Sequence, residues 1–213
     1  MAYGARYVSV KLYSYKVARD YGFAPNPFHG YCTLATCKPK IRSVANVGDW
    51  VVGTGAKKYR LEDHIIFAMR VTETCSFNEY WSDPRFQVKR PILNGSLKQV
   101  YGDNIYRKKD GNWIQADSHH SCPAGEENLV NLKKDTKTDK VLISDNFVYF
   151  GAKAKKIPQC FLSWEKSLCC ANRHHHTFDE CSVLAFIRWL RGLHSWSLSG
   201  LPLEFASHKR ATR

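Results

Sequence analysis

Gly48-Asp49-Trp50-Val51-Val52-Gly53-Thr54-Gly55, followed after a polar interval by His64-Ile65-Ile66-Phe67-Ala68-Met69-Arg70-Val71-Thr72-Glu73-Thr74, is the stretch whose reading decides the fold. Gly-Asp turns the chain into the first apolar run. The second run is β-branched and apolar without alternation, which predicts a strand crossing the core. The two runs read as neighbours in one sheet. Upstream, Arg6-Tyr7-Val8-Ser9-Val10-Lys11-Leu12-Tyr13-Ser14-Tyr15 alternates at period two and predicts a half-buried first strand. Downstream, residues 101–106 and 113–116 flank Lys109-Asp110-Gly111-Asn112 as a hairpin, and residues 141–151 return to strand character. A short helix ends near Ser82 before Asp83-Pro84, while residues 118–140 are polar, with 133–137 read as a solvated loop. Residues 178–191 carry apolar positions at helical spacing, with Thr177 or Asp179 as N-cap and Gly192 as the stop.

The segment Tyr21-Gly22-Phe23-Ala24-Pro25-Asn26-Pro27-Phe28-His29-Gly30-Tyr31-Cys32-Thr33-Leu34-Ala35-Thr36-Cys37-Lys38-Pro39 has the Pro, Gly, Asn and aromatic composition of a shaped loop that presents side chains to a ligand. The 213 residues carry 32 Lys+Arg against 19 Asp+Glu, a formal charge of +13. A charge of that sign concentrates polyanions near the surface, so nucleic acid is the leading partner class. No apolar run reaches the roughly 18 residues of a membrane span. Met1-Ala2-Tyr3-Gly4-Ala5-Arg6 lacks the apolar core of a signal peptide. A cytoplasmic protein with no membrane partner is therefore expected, its eight cysteines reduced.

Base recognition needs flat rings for stacking and fixed donors and acceptors for the base edge. Candidate rings are Phe23, Phe28, Tyr31, Tyr80, Trp81 and Tyr101, with Trp50 and Phe67 read as core instead. Edge readers are Asn26, Thr54 and Asp49; Asp83 and Asn104 join the base-binding set, and phosphate contacts would come from Lys38, Arg42, Lys57, Lys58 and Arg60, with Lys89 and Arg90 further along. Were the protein an enzyme, Asp49 and Asp103 would be carboxylates facing a sugar, and His119 or His120 would move protons. A turn carboxylate is an equal reading of Asp49. Cys32 and Cys37 lack CxxC spacing and read as small buried residues. No cofactor is predicted. Cys169, Cys170, His174 and His176 hold zinc-ligand types, but an adjacent Cys pair suits a tetrahedral site badly, leaving zinc as the lesser reading. The absence of Walker, HExxH and GxSxG patterns argues against nucleotide hydrolysis, zincin and ordinary esterase chemistry.

The 20–39 and 48–55 blocks, with Tyr101-Gly102-Asp103-Asn104-Ile105-Tyr106 and Ser144-Asp145-Asn146-Phe147-Val148-Tyr149-Phe150-Gly151, resemble the nucleotide modification associated domain 2 family of phages and bacteria. That resemblance implies a part in making or handling modified bases in DNA, inside a bacterial or phage-infected cell, and brings no established reaction with it. The Gly48-Asp49 turn, Arg70-Val71-Thr72 and the Tyr80/Asp83-Pro84 segment are further similar to base-binding domains of the pseudouridine synthase and archaeosine transglycosylase (PUA-like) type. This second likeness implies an α+β fold built on a small mixed or antiparallel β-barrel with flanking helices. Residues 1–155 would form the barrel-like recognition domain and residues 156–213 a helical extension packed on it. The expected function is recognition of a modified base or nucleotide in nucleic acid, DNA favoured. The alternatives are an enzyme of base or nucleoside modification using the same pocket, and a subunit docking modification enzymes through the 178–191 helix.

Overall fold

The computed structural model describes residues 10–164, 167–169, 178–193 and 196–206. Trp50–Thr54 and His64–Arg70 form adjacent antiparallel strands β3 and β4 in a six-stranded sheet that also contains β1 (Leu12–Lys16), β9 (Asn146–Tyr149), β10 (Lys155–Lys156) and β11 (Ser197–Leu198). β1 runs parallel to β3 and β11 parallel to β9, while β9 and β10 pair antiparallel with β4. Every residue of β3 is buried, as are Ile65 to Met69 of β4. Strands apolar on both faces need cover on both sides.

One face, with Trp50, Val52, Ile65, Ala68 and Val148, is covered by α6 (Gln159–Leu162) and α7 (Glu180–Arg191). The apolar stripe of α7, Val183, Phe186, Ile187 and Leu190, is spent on this contact. Asp179 caps the helix by accepting the Ser182 N–H at 2.8 Å. The opposite face packs on a three-stranded sheet of β2 (Cys32–Leu34), β8 (Val141–Ser144) and β5 (Glu73–Cys75), in the order β2-β8-β5. The far side of that second sheet carries a third apolar cluster, which holds Phe77 and Tyr80 of α2 (Phe77–Ser82), Phe86 of α3 (Pro84–Gln87), Tyr106 of a hairpin and Leu132 of α5 (Leu129–Asp135). The hairpin is β6 (Tyr106–Lys109) and β7 (Asn112–Gln115), turned at Asp110 and Gly111, both at positive φ. The short helices α1 (Pro39–Val44) and α4 (Leu97–Val100) and 3₁₀ turns at Lys57–Tyr59, Gly151–Lys153 and Leu203–Phe205 are the other described elements.

The expected barrel is not there: among the described residues, no sheet closes on itself. β4 runs into β5 through Val71 and Thr72, β8 runs into β9 through Asp145, and the two bent strands pair along both sheets. Thr72 N–H donates to Ile143 O at 2.9 Å across the bend. The bends divert the pairing from one sheet into another, so the outer strands β1, β2 and β5 never meet edge to edge. Layers replace closure. The polar 118–140 segment contains α5, whose end occupies part of the 133–137 stretch read as solvated loop, and Asn128 caps it by accepting the Asn131 N–H. Residues 202–205 clasp the loop that follows β1: Leu203 N–H donates to Asp20 Oδ2 at 3.0 Å, Glu204 N–H to Asp20 O at 3.0 Å, and Phe205 stacks on Phe28. Gly22, at φ +64°, gives way to Pro202, which a Cβ there would meet at 2.7 Å.

Candidate functional site

A cavity of about 300 Å³ opens between the end of β1, the 19–24 loop and the segment after β7. Its rings are Tyr15, Tyr21, Phe23 and His119, and its cations Lys16, Arg19 and Lys38. Tyr21 stacks on Tyr101 with centroids 4.8 Å apart and planes at 18°, and His119 stands edge-on to Tyr101 at 5.0 Å. The Lys38 ammonium lies 4.5 Å over the Tyr15 ring, a cation–π contact that keeps charge beside an apolar wall. Cys37 and His120 form part of the same wall. A second cavity of about 550 Å³ begins at Cys37 and Lys38 and runs along Lys40, Lys134 and Lys137.

The segment leading into α1 fixes Cys37. Pro39 starts the helix, and Cys37 and Lys38 before it both take left-handed backbone, at φ 57° and 40°. That conformation costs a non-glycine residue on the order of 1–2 kcal/mol, so surrounding contacts must impose it. They are visible: Cys37 N–H donates to Asp135 Oδ1 at 2.9 Å, and Cys37 O accepts from Arg42 Nε at 2.8 Å. The buried Arg42 guanidinium also donates to Thr138 O, Lys140 O and Asp135 O, tying α1 to the C-terminal end of α5. Burial pulls its pKa down to about 10 against the raising effect of Asp135, but it stays charged at neutral pH. Cys37 Sγ faces His120 Nε2 at 3.8 Å, and His120 Nδ1 faces Asp135 Oδ2 at 3.0 Å. Tyr106 OH donates to the same Oδ2 at 3.0 Å, while Asn131 Nδ2 and Gln115 Nε2 donate to His120 O. Burial works against a charged His120, but hydrogen bonds to Asp135 and Cys37 outweigh it and lift its pKa to about 9.

Of the residues the sequence pointed to, Phe23, Lys38, His119 and His120 meet at the first cavity, with Tyr101 behind Tyr21. Asn26, Tyr80, Asp103, Asn104 and Lys89 meet elsewhere, in a buried polar network. Asp103 accepts from Thr33 Oγ1 at 2.7 Å and Tyr80 OH at 2.9 Å, and the Lys89 ammonium reaches Asn26, Tyr31 O and Thr33. Burial pushes the Asp103 carboxyl up and the Lys89 ammonium down, each opposing its own charge. Asn104 donates to Tyr80 O and Phe86 O, pinning α2 and α3. Asp49 accepts from the Lys11 and Asn46 backbone N–H groups, and Thr54 is buried in β3. Asp83 caps α3 and pairs with Arg85, whose guanidinium also covers Tyr31. Phe28 and His29 line a separate cavity of about 220 Å³. Arg90 and Arg107 both pack on the Trp81 ring; Lys57 and Arg60 are exposed, and Lys58 pairs with Glu204. Trp50 and Phe67 are buried in the core. Cys170, His174 and His176 lie outside the described residues; Cys169 is partly buried.

Sequence reading missed Cys37 and Asp135. Among the described residues, they and His120 form the group of Cys, His and acidic side chains whose ligand-type atoms lie within 4.8 Å of one another. The available signal was Cys-Lys-Pro at a helix start, which carries no partner information by itself. Fold and cavity together define a layered α+β protein with a ring-walled, cation-rimmed pocket over a thiol–imidazole pair. The nucleotide modification associated domain 2 family model matches residues 9–209, and the chain belongs to that family, which ties it to nucleotide-modification systems. No curated protein and no solved structure matches it. Among the described residues, no helix is long and apolar enough to cross a membrane.

Proposed function

We propose that the protein recognises a modified base or nucleotide carried in nucleic acid, with DNA the favoured source. The observation that carries this reading is the first cavity, where Tyr21, Phe23 and His119 offer ring faces and Lys16, Arg19 and Lys38 offer cations within one concave wall. A planar heterocycle stacks on rings at a gain of about 1–3 kcal/mol per base, and cations beside them hold its phosphate. The lysine-lined second cavity continues from Cys37 and Lys38, a path for the adjoining backbone. Family membership supports a nucleotide ligand.

Titrating the full chain with oligonucleotides that contain plain or modified bases, at fixed salt, tests the reading. Tighter binding of a modified oligonucleotide is expected, with Tyr21→Ala weakening it by roughly 5- to 100-fold. Equal affinity for plain and modified strands, unchanged by Tyr21→Ala, would reject base recognition. The second reading, an enzyme acting on the same ligand, is favoured by one observation: the Cys37–His120 contact.

A further inference from the structure

We propose that Cys37, His120 and Asp135 form a nucleophilic triad that performs acyl transfer on a nucleotide bearing an amide or ester, with Cys37 Sγ as the attacking atom. The imidazole stands between the sulfur, 3.8 Å from Nε2, and the carboxylate, 3.0 Å from Nδ1. That order of nucleophile, base and orienting acid is what activates a weak nucleophile. Asp135 fixes the ring with its proton on Nδ1, which aims the other nitrogen at sulfur. Tyr106 and the Cys37 N–H hold Asp135 in turn. Two successive left-handed residues and the Arg42 clamp present the thiol on the wall shared by both cavities. Cys32, five positions earlier, is the internal contrast: it is wholly buried among apolar side chains, and burial pushes its thiol up.

A metal site explains the arrangement less well. Sulfur and Asp135 Oδ2 face different nitrogens of one imidazole, and Asp135 Oδ1 accepts the Cys37 N–H, so an ion bound by all three residues would compete with one of the two hydrogen bonds that hold Asp135. In the triad, the sulfur and His120 share one proton as a thiolate–imidazolium pair, and the sulfur bonds to the acyl carbon. The carbonyl electron pair moves to oxygen and returns as the C–N or C–O bond breaks. The Nε2 proton goes to the departing amine or hydroxyl. Water then attacks the thioester, His120 removes its proton and returns it to sulfur, and a carboxylic acid leaves. No oxidant or cofactor is consumed.

The thiol chemistry stands on its own geometry; the acylated nucleotide as substrate rests on the nucleotide reading above. The test treats the full chain with p-nitrophenyl acetate and maps the product by mass. One acetyl group on Cys37 and a matching burst of nitrophenolate are expected, both lost in Cys37→Ala. The acylation rate should fall by on the order of 10²- to 10⁴-fold in His120→Asn, with its circular dichroism unchanged. Acetylation spread equally over other cysteines, no effect of His120→Asn, or tight stoichiometric zinc that shields Cys37 would overturn the triad. A second arm offers an oligonucleotide containing N4-acetylcytosine, from which acetate and the plain base are expected. A reactive Cys37 with neither turnover nor binding of this oligonucleotide would keep the triad and sink the nucleotide reading; binding with an inert thiol would do the reverse.

Discussion

His120 couples the site to pH. Its pKa stands near 9 in the folded chain, against about 6.5 in an unfolded one. A group that holds its proton more tightly when folded contributes stability fully below the lower value, and that contribution fades as pH rises through the higher one. Urea unfolding should therefore show stability falling by on the order of 1–3 kcal/mol from pH 6.5 to 9.5 relative to His120→Asn, which lacks the titration. Parallel pH curves for the two proteins would rule the coupling out. The sequence offered His120 as a candidate for moving protons, whereas its contacts with Cys37 and Asp135 were not visible there. Asp135 sits in Lys133-Lys134-Asp135-Thr136-Lys137, the pattern of a solvated loop, and meets a residue 98 positions away. Arg42 likewise looked like a phosphate ligand because a linear sequence does not show that four backbone carbonyls enclose it.

At the level of elements, β3 and β4 are held in register around Gly53. A Cβ there would lie 2.2 Å from the Phe67 ring and 2.7 Å from Val17, and the pairing shifts by one residue just beyond it. Gly53→Ala is expected to destabilise the protein by roughly 1–3 kcal/mol, with Phe67→Leu in the same chain restoring part of the loss in thermal melts. A neutral Gly53→Ala would show that the sheet yields more easily than its packing implies. β3, β4, the hairpin and α7 were legible because length and periodicity are local properties. The barrel was a misreading because closure depends on which edges meet. That was decided at Thr72 and Asp145, where strand-like sequence continues through a bend. α5 escaped notice because Leu129 and Val130 are exposed and only Leu132 among its apolar residues turns inward.

For the molecule as a whole, the charge of +13 bears on association more than on architecture. The lysine cavity predicts how: replacing Lys40, Lys134 and Lys137 by alanine should make the slope of log affinity against log salt shallower by about 2 to 3. Tyr21→Ala should lower affinity at every salt concentration and leave that slope alone. A slope indifferent to the three lysines would move the backbone path to another face.

The clasp of residues 202–205 on Asp20 joins positions 183 apart, and it braces the loop from which Tyr21 and Phe23 project. On the ribosome, the sheet strands through β9 can emerge and pair while that loop still lacks its brace. The pocket is thus completed only after the sheet strands through β9 during synthesis, and a nascent chain stalled short of Leu203 would carry those strands without a completed place for a ligand.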